Sequence, residues 1–251
     1  MRDDDFSGRT ALVTGAATGI GRAIAVAMAE AGATVIVNHL GRAELADETV
    51  ALIAAAGGSA WAVEADVSQG AAVCGMMDAC LQRHGVVDIL VNNAGILLEK
   101  PFLDMRESEW DHVLATDLKS VFLCCQAALP AMLRRGGGCI INVASELGYL
   151  GRAGFTAYTA AKAGVITLTR SLAREFAPTV RINAIAPGPV DTPMLALDQM
   201  SAAWAAKEAD VPMGRVGRPE EIAATAVFLA SAHASYYCGQ TLSPNGGALM
   251  A

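Results

Sequence analysis

The sequence predicts a single α/β domain, a mostly parallel seven-stranded sheet doubly wound with helices on both faces. Three observations carry that expectation. Short runs rich in valine and isoleucine alternate with longer alanine- and leucine-rich stretches along the chain. Such strand–helix–strand units force parallel strands joined by helical crossovers. A glycine-rich turn joins the first strand to the first helix. The 251 residues suffice for one full core, and no linker, repeat or low-complexity segment divides residues 1–251.

In order, Thr10–Thr14 reads as a strand and Ile20–Ala31 as a helix closed by Gly32. Thr34–Asn38 is a strand, and Ala43–Ala56 an amphipathic helix stopped by Gly57 and Gly58. Ala60–Glu64, the helix Gln69–His84 closed by Gly85, and the strand Asp88–Asn92 follow. Ser108–Leu133 is one long helix with Ser108 as N-cap, ended by the glycines at 136–138. Then come strand Cys139–Ala144, helix Thr156–Phe176 and strand Val180–Ile185. Pro219–Ser231 is a helix with proline in its first turn, where the missing N–H costs nothing, and Gln240–Leu242 is the last strand. Residues 187–217 read as a long irregular segment, and its place after a strand's carboxyl end suits a substrate lid.

Composition excludes several classes. Hydrophobic residues make up 53% and charged residues 17%, the opposite of a disordered chain. A net charge of −7 argues against nucleic acid as a partner. The acidic start, Met1–Asp5, lacks the apolar core of a signal peptide, and stretches such as Ala23–Ala29 break well before a bilayer is crossed. A cytoplasmic chain with no membrane partner is expected. Six cysteines without a C-x-x-C pair read as reduced core residues, and four scattered histidines give no metal-ligand spacing, so no metal is expected.

Thr14-Gly15-Ala16-Ala17-Thr18-Gly19-Ile20-Gly21 has the context of a dinucleotide-binding turn. Gly15 allows the tight turn, Gly19 lets backbone approach a pyrophosphate, and Gly21 lets helix and strand pack closely. Helix N-terminal N–H groups then face the anion. The spacing is Gly-x-x-x-Gly-x-Gly. With Asn92-Asn93-Ala94-Gly95, Ser145, Tyr158-Thr159-Ala160-Ala161-Lys162 and Pro187-Gly188 with Val190 and Thr192, it resembles the short-chain dehydrogenase/reductase family from about Ser7 to Gly247.

The resemblance implies a Rossmann-like fold and hydride transfer between NAD(P)(H) and a secondary alcohol or ketone. Tyr158 and Lys162 stand one helical turn apart, so both point from one face. An ammonium favours the phenolate and makes Tyr158 a usable acid or base. Ser145 would hold the substrate oxygen, and the resemblance gives Lys162 the ribose hydroxyls as well. Where the family usually carries an asparagine holding a relay water, this chain has Asp117. Its charge should shift the titration of Lys162 and Tyr158.

The resemblance places coenzyme on Gly15, Thr18, Gly19, Ile20, Gly21, Asp66, Val67, Asn93, Ala94, Gly95, Tyr158, Lys162, Pro187, Gly188, Val190 and Thr192. At the end of the second strand stand His39 and Arg42, with no acid until Glu44. Arginine pairs with a 2′-phosphate that a carboxylate would repel, so NADP(H) is favoured and NAD(H) stays open.

For the substrate, the overall pattern resembles both 3-oxoacyl-carrier-protein reductases and sugar or polyol dehydrogenases. Leu147, Tyr149, Leu150 and the lid methionines (Met194, Met200, Met213) would form an apolar wall that tilts toward a hydrophobic ketone or acyl substrate. Arg134 and Arg135 would serve an acidic carrier protein, whereas Glu146 and Glu99 would meet substrate hydroxyls. A non-catalytic dinucleotide sensor is the rival class, against which the intact Ser145, Tyr158 and Lys162 stand. Outer faces of the two long helices, with Val113, Leu118, Val121, Phe122 and Cys125 on the first, are expected to build a homo-oligomer, a tetramer by the resemblance.

Overall fold

In a computed structural model describing residues 5–250, the valine- and isoleucine-rich runs form the strands of one sheet. The elements are β1 (Thr10–Val13), α1 (Gly19–Glu30), β2 (Thr34–His39), α2 (Ala43–Ala55), β3 (Ser59–Glu64), α3 (Gly70–His84), β4 (Ile89–Asn92), α4 (Glu107–Leu114), α5 (Ser120–Arg135), β5 (Gly138–Val143), α6 (Leu147–Leu150), α7 (Thr156–Phe176), β6 (Val180–Ile185), α8 (Ala202–Glu208), α9 (Pro219–Ala230) and β7 (Thr241–Leu242). Strand order is β3-β2-β1-β4-β5-β6-β7, and every neighbouring pair is parallel. The order reverses between β1 and β4. Doubly wound sheets bind ligands at the carboxyl ends of strands beside such a switch.

Successive side chains leave a strand on opposite faces, so each strand feeds two cores. Val13, Val35, Ile89 and Ile141 pack with Ile24 and Met28 of α1 and with Ile222 and Leu229 of α9. Leu12, Ile36, Leu90, Ile140 and Ile182 pack on the other side with α3, α5 and α7.

The expected single helix Ser108–Leu133 is interrupted. Arg106, not Ser108, is its N-cap, and Glu109 reaches back to accept the Arg106 N–H at 2.9 Å. Between α4 and α5, Ala115–Lys119 forms a π-helical turn. By length and composition Glu107–Arg135 would suffice to cross a bilayer, which the sequence reading did not anticipate; here it packs against the sheet and α7. Val113, Val121 and Cys125, expected on the outer face, are buried within the protomer. Phe122 is exposed and Leu118 partly so. Cys74 and Cys238, expected in the core, are exposed.

The segment 187–217 is less irregular than expected: it contains the 3-10 turn Leu197–Gln199 and helix α8. A bridge between Val190 and Gly217 ties its two ends together. The expectations concerning Met1–Asp4 and Ala251 lie outside the described residues.

Candidate active site

The glycine turn folds as its residue types require. Gly15 and Gly19 have φ of 61° and 56°, the left-handed region that glycine enters without penalty. A Cβ on Gly21 would stand 2.4 Å from the Gly15 carbonyl oxygen and 2.5 Å from Asn93 Nδ2. Thr18 is the extended N-cap of α1, Ile20 packs into the adjoining core, and no side chain caps the helix. The first N–H groups of α1 thus face the carboxyl edge of the sheet, beside the switch. That cradle of bare backbone fits the pyrophosphate of a dinucleotide.

Buried polar residues lock the strands beneath it. Thr14 Oγ1 accepts the N–H groups of Asn93 (2.9 Å) and Ala94 (3.1 Å), and Asn93 Nδ2 donates to Thr14 and Gly15 carbonyls. Asn92 Nδ2 donates to Asn142 Oδ1 at 2.8 Å, and Asn142 Nδ2 donates to Thr169 Oγ1 at 2.9 Å, linking β4, β5 and α7. Asn38 Oδ1 receives the Gly15 N–H at 3.3 Å. Sequence reasoning gave Thr14, Asn38, Asn142 and Thr169 no such locking role; polar residues inside apolar strands and an apolar helix face were the available signal.

On α7, Lys162 is buried, its Nζ 5.5 Å from the centre of the Tyr158 ring. Lys162 Nζ donates to the Val143 carbonyl at 3.1 Å and faces Asp117 Oδ2 at 3.4 Å. Asp117 is fully buried, and its Oδ1 accepts the Ile96 N–H at 2.9 Å. Burial raises the Asp117 carboxyl above the usual carboxylate range, opposed chiefly by Lys162. Burial also penalises the Lys162 ammonium, but Asp117 and Tyr158 outweigh it and hold that ammonium above the ordinary lysine value. Gly95 covers the pair: a Cβ there would lie 3.0 Å from Asp117 Oδ2 and 3.3 Å from Lys162 Nζ.

Ser145 is buried just beyond β5, and its Oγ accepts the Leu147 N–H at 3.2 Å, which leaves its own proton free to donate. Helix α6 then lies against the Lys162 turn, since a Cβ on Gly148 would meet the Lys162 and Ala163 backbone at 2.9 Å. After β6, Pro187 O accepts the Glu146 N–H, and Gly188 packs under Asn245. Val190 is buried, and Thr192 Oγ1 donates to its carbonyl at 3.2 Å. The Thr192 side chain approaches within 3.3 Å of where a Gly19 Cβ would be, so this loop closes over the glycine turn.

At the adenosine end, Asp66 Oδ1 accepts the Ser68 N–H at 2.9 Å, fixing the turn that buries Val67. His39 is buried, with Nδ1 accepting the Arg42 N–H at 3.4 Å, so Arg42 is the exposed cation of that corner. The sequence reading missed Glu64, whose Oε1 accepts the Gly41 N–H at 3.0 Å and brings a carboxylate beside Arg42.

Other expected residues lie elsewhere. Arg135 pairs with Asp88 at 3.1 Å, at the amino ends of the parallel strands and opposite the site, so Arg134 and Arg135 do not flank its mouth. Tyr149 lines a separate cavity of about 700 Å³ with Arg170, Cys238 and Met250, and Met213 is exposed beside Gly246. The expected apolar wall therefore loses Tyr149. Among the described residues, no three His, Cys, Asp or Glu side chains converge as a metal site.

Comparison with known proteins gives a consistent result. A family model described as enoyl-(acyl carrier protein) reductase matches residues 15–248. A 3-oxoacyl-[acyl-carrier-protein] reductase of Staphylococcus aureus is 43% identical over 244 residues, 96% of this chain and 98% of that protein. The 3beta-hydroxysteroid dehydrogenase 1 of Eggerthella lenta is 43% identical over 247 residues, 97% of this chain and 95% of that protein. The crystal structure of a short-chain type dehydrogenase/reductase from Mycobacterium marinum superposes with a TM-score of 0.90 at 39% identity, covering 97% and 96% of the two chains.

Proposed function

The chain belongs to the short-chain dehydrogenase/reductase family and is an oxidoreductase acting between alcohols and ketones with a nicotinamide dinucleotide, and from that premise we propose how its residues divide the work. The coenzyme, when bound, supplies or accepts the hydride. Tyr158 takes the proton of a secondary alcohol as its carbon loses hydride, or returns that proton to a ketone oxygen. Ser145 donates to the same oxygen and holds it in place. Lys162, with one proton on Val143 O and one toward Asp117, has a third for Tyr158 or a ribose hydroxyl. Asp117 keeps the lysine charged and in position.

The observation that carries this reading is the buried Lys162 ammonium beneath the Tyr158 ring, held from one side by Asp117 and from the other by the end of β5. Tyr158→Phe tests it. Coenzyme affinity should stay within about threefold while kcat falls at least ~100-fold, the scale of general acid–base catalysis. Equal turnover by the variant would overturn the assignment.

NADP(H) is the coenzyme we favour, on the exposed Arg42 at the N-cap of α2. Glu64 beside Gly41 supports NAD(H) as the second reading. The ratio of kcat/KM for NADPH and NADH separates them: Arg42→Ala should cut the NADPH preference about tenfold, and an unchanged ratio removes Arg42 from the site. Substrates of two kinds remain: a 3-oxoacyl thioester or other apolar ketone, and a polyol or sugar.

We also place the chain in a reducing cytoplasm, on its six free cysteines, and in a homo-oligomer. The outer face of α4, α5 and α7 carries an open groove of about 860 Å³, lined by Leu114, Leu118, Phe122 and Leu168, that suits a second copy.

A further inference from the structure

Glu146 directly follows Ser145 and is only 6% exposed, yet its Oε2 meets no partner. Its backbone is fixed, because its N–H donates to the Pro187 carbonyl at 3.0 Å. The nearby cation, Arg152, is engaged elsewhere. Its Nη2 meets Glu208 Oε1 at 2.5 Å, its Nη1 meets Glu208 Oε2 at 3.3 Å, and its guanidinium lies 5.7 Å from the centre of the Trp204 ring. Glu208 and Trp204 belong to α8, so Arg152 fastens α8 and gives the Glu146 carboxyl no hydrogen bond. Burial pushes that carboxyl up to about 7; Glu208 adds to the effect and Arg152 opposes it. A buried acceptor left unpaired is costly, so such a group marks a place for a donor.

We infer that Glu146 accepts a hydrogen bond from a second hydroxyl of the substrate, one or two carbons from the reacting carbon, so that the substrate class is a neutral diol or the corresponding hydroxy ketone. This rests on the reading that Ser145 and Tyr158 hold the reacting oxygen. Glu146, tied to Pro187 at the carboxyl edge of the sheet, then takes the neighbouring part of the same molecule. Glu146 and Glu208 outnumber Arg152, which disfavours a carboxylate on that side. Hydroxyl donors answer the unpaired oxygen, whereas an acyl chain would leave it unsatisfied.

Matched alcohols test the inference: cyclohexanol against cis-1,2-cyclohexanediol, and 2-butanol against 2,3-butanediol, each with the preferred coenzyme. The wild type should favour the diol in kcat/KM by at least about tenfold. Glu146→Gln, which keeps an acceptor oxygen, should retain part of that ratio, and Glu146→Leu should bring it close to one. Because both alcohols are measured on one protein, the ratio is independent of how much of a variant folds. A wild type that treats the pairs equally, or Glu146→Leu with an unchanged ratio, overturns the inference and leaves the hydride-transfer reading standing. A wild type that oxidises none of the four alcohols counts against both.

Discussion

At the scale of single residues, the departure that matters most is the carboxylate at Asp117. With Lys162 Nζ 3.4 Å from Asp117 Oδ2 and both groups buried, the charges near Tyr158 largely cancel. Asp117 holds that ammonium charged against burial, and the ammonium favours the phenolate. Asp117→Asn should therefore move the ascending limb of the pH–rate profile for alcohol oxidation toward higher pH; a superimposable profile would show that Asp117 serves position alone. The same pair has a second signature. A lysine whose folded pKa is raised contributes stability that is full below its ordinary value and fades as pH rises through the raised one. In Asp117→Asn burial is left to depress the lysine, so that alkaline loss should disappear, readable as Tm against pH. The sequence exposed the substitution itself, since Asp117 stands in the stretch Ala115–Lys119. It did not expose the geometry, which depends on the π-helical turn that carries the residue.

At the scale of elements, the site is set by how closely α6 and α7 approach. Gly148 is the contact point, because its added Cβ would meet rigid backbone at Lys162 and Ala163 rather than a movable side chain. Gly148→Ala should push α6, and Ser145 before it, away from the Lys162 turn. We expect kcat/KM to fall roughly 100-fold, the penalty of about 1 Å of misplacement, with coenzyme affinity little changed. Gly75→Ala in α3, where an added Cβ meets nothing within 4 Å, should leave activity intact and raise stability by about 0.5–1 kcal/mol. If both variants behave alike, the contact does not set the site. Elements with a long periodic pattern, such as α7, or a glycine stop, such as α2, were legible to within a residue or two. Short or interrupted ones were not: α6 and α8 lack the length for a periodic signal, and the π-helical turn leaves the apolar pattern of its helix unbroken.

At the scale of the whole molecule, the alternation of strand and helix was enough to specify a parallel, doubly wound sheet, because crossover connections admit few other arrangements. Ser145 and Pro187, singled out on the family resemblance, and the glycine turn all follow strands at the carboxyl edge. Residues whose place depends on long-range packing were harder to read. Arg135 proved to lie at the opposite edge, Tyr149 in another cavity, and Val113, Val121 and Cys125 inside the protomer. What remains on the outer face of α5, led by Phe122, should seat a second copy, so light scattering should return a multiple of 25.8 kDa, and a monomer would contradict that assembly. The central claim is that one phenol, beside a buried ammonium, exchanges the proton while hydride passes to or from a nicotinamide held above the glycine turn. A crystal structure with bound coenzyme tests it most directly. The account predicts a pyrophosphate on the N-terminus of α1 and a nicotinamide ring facing a pocket in which Tyr158 Oη and Ser145 Oγ both reach one substrate oxygen, at about 3 Å; a ring lying away from Tyr158 would contradict it.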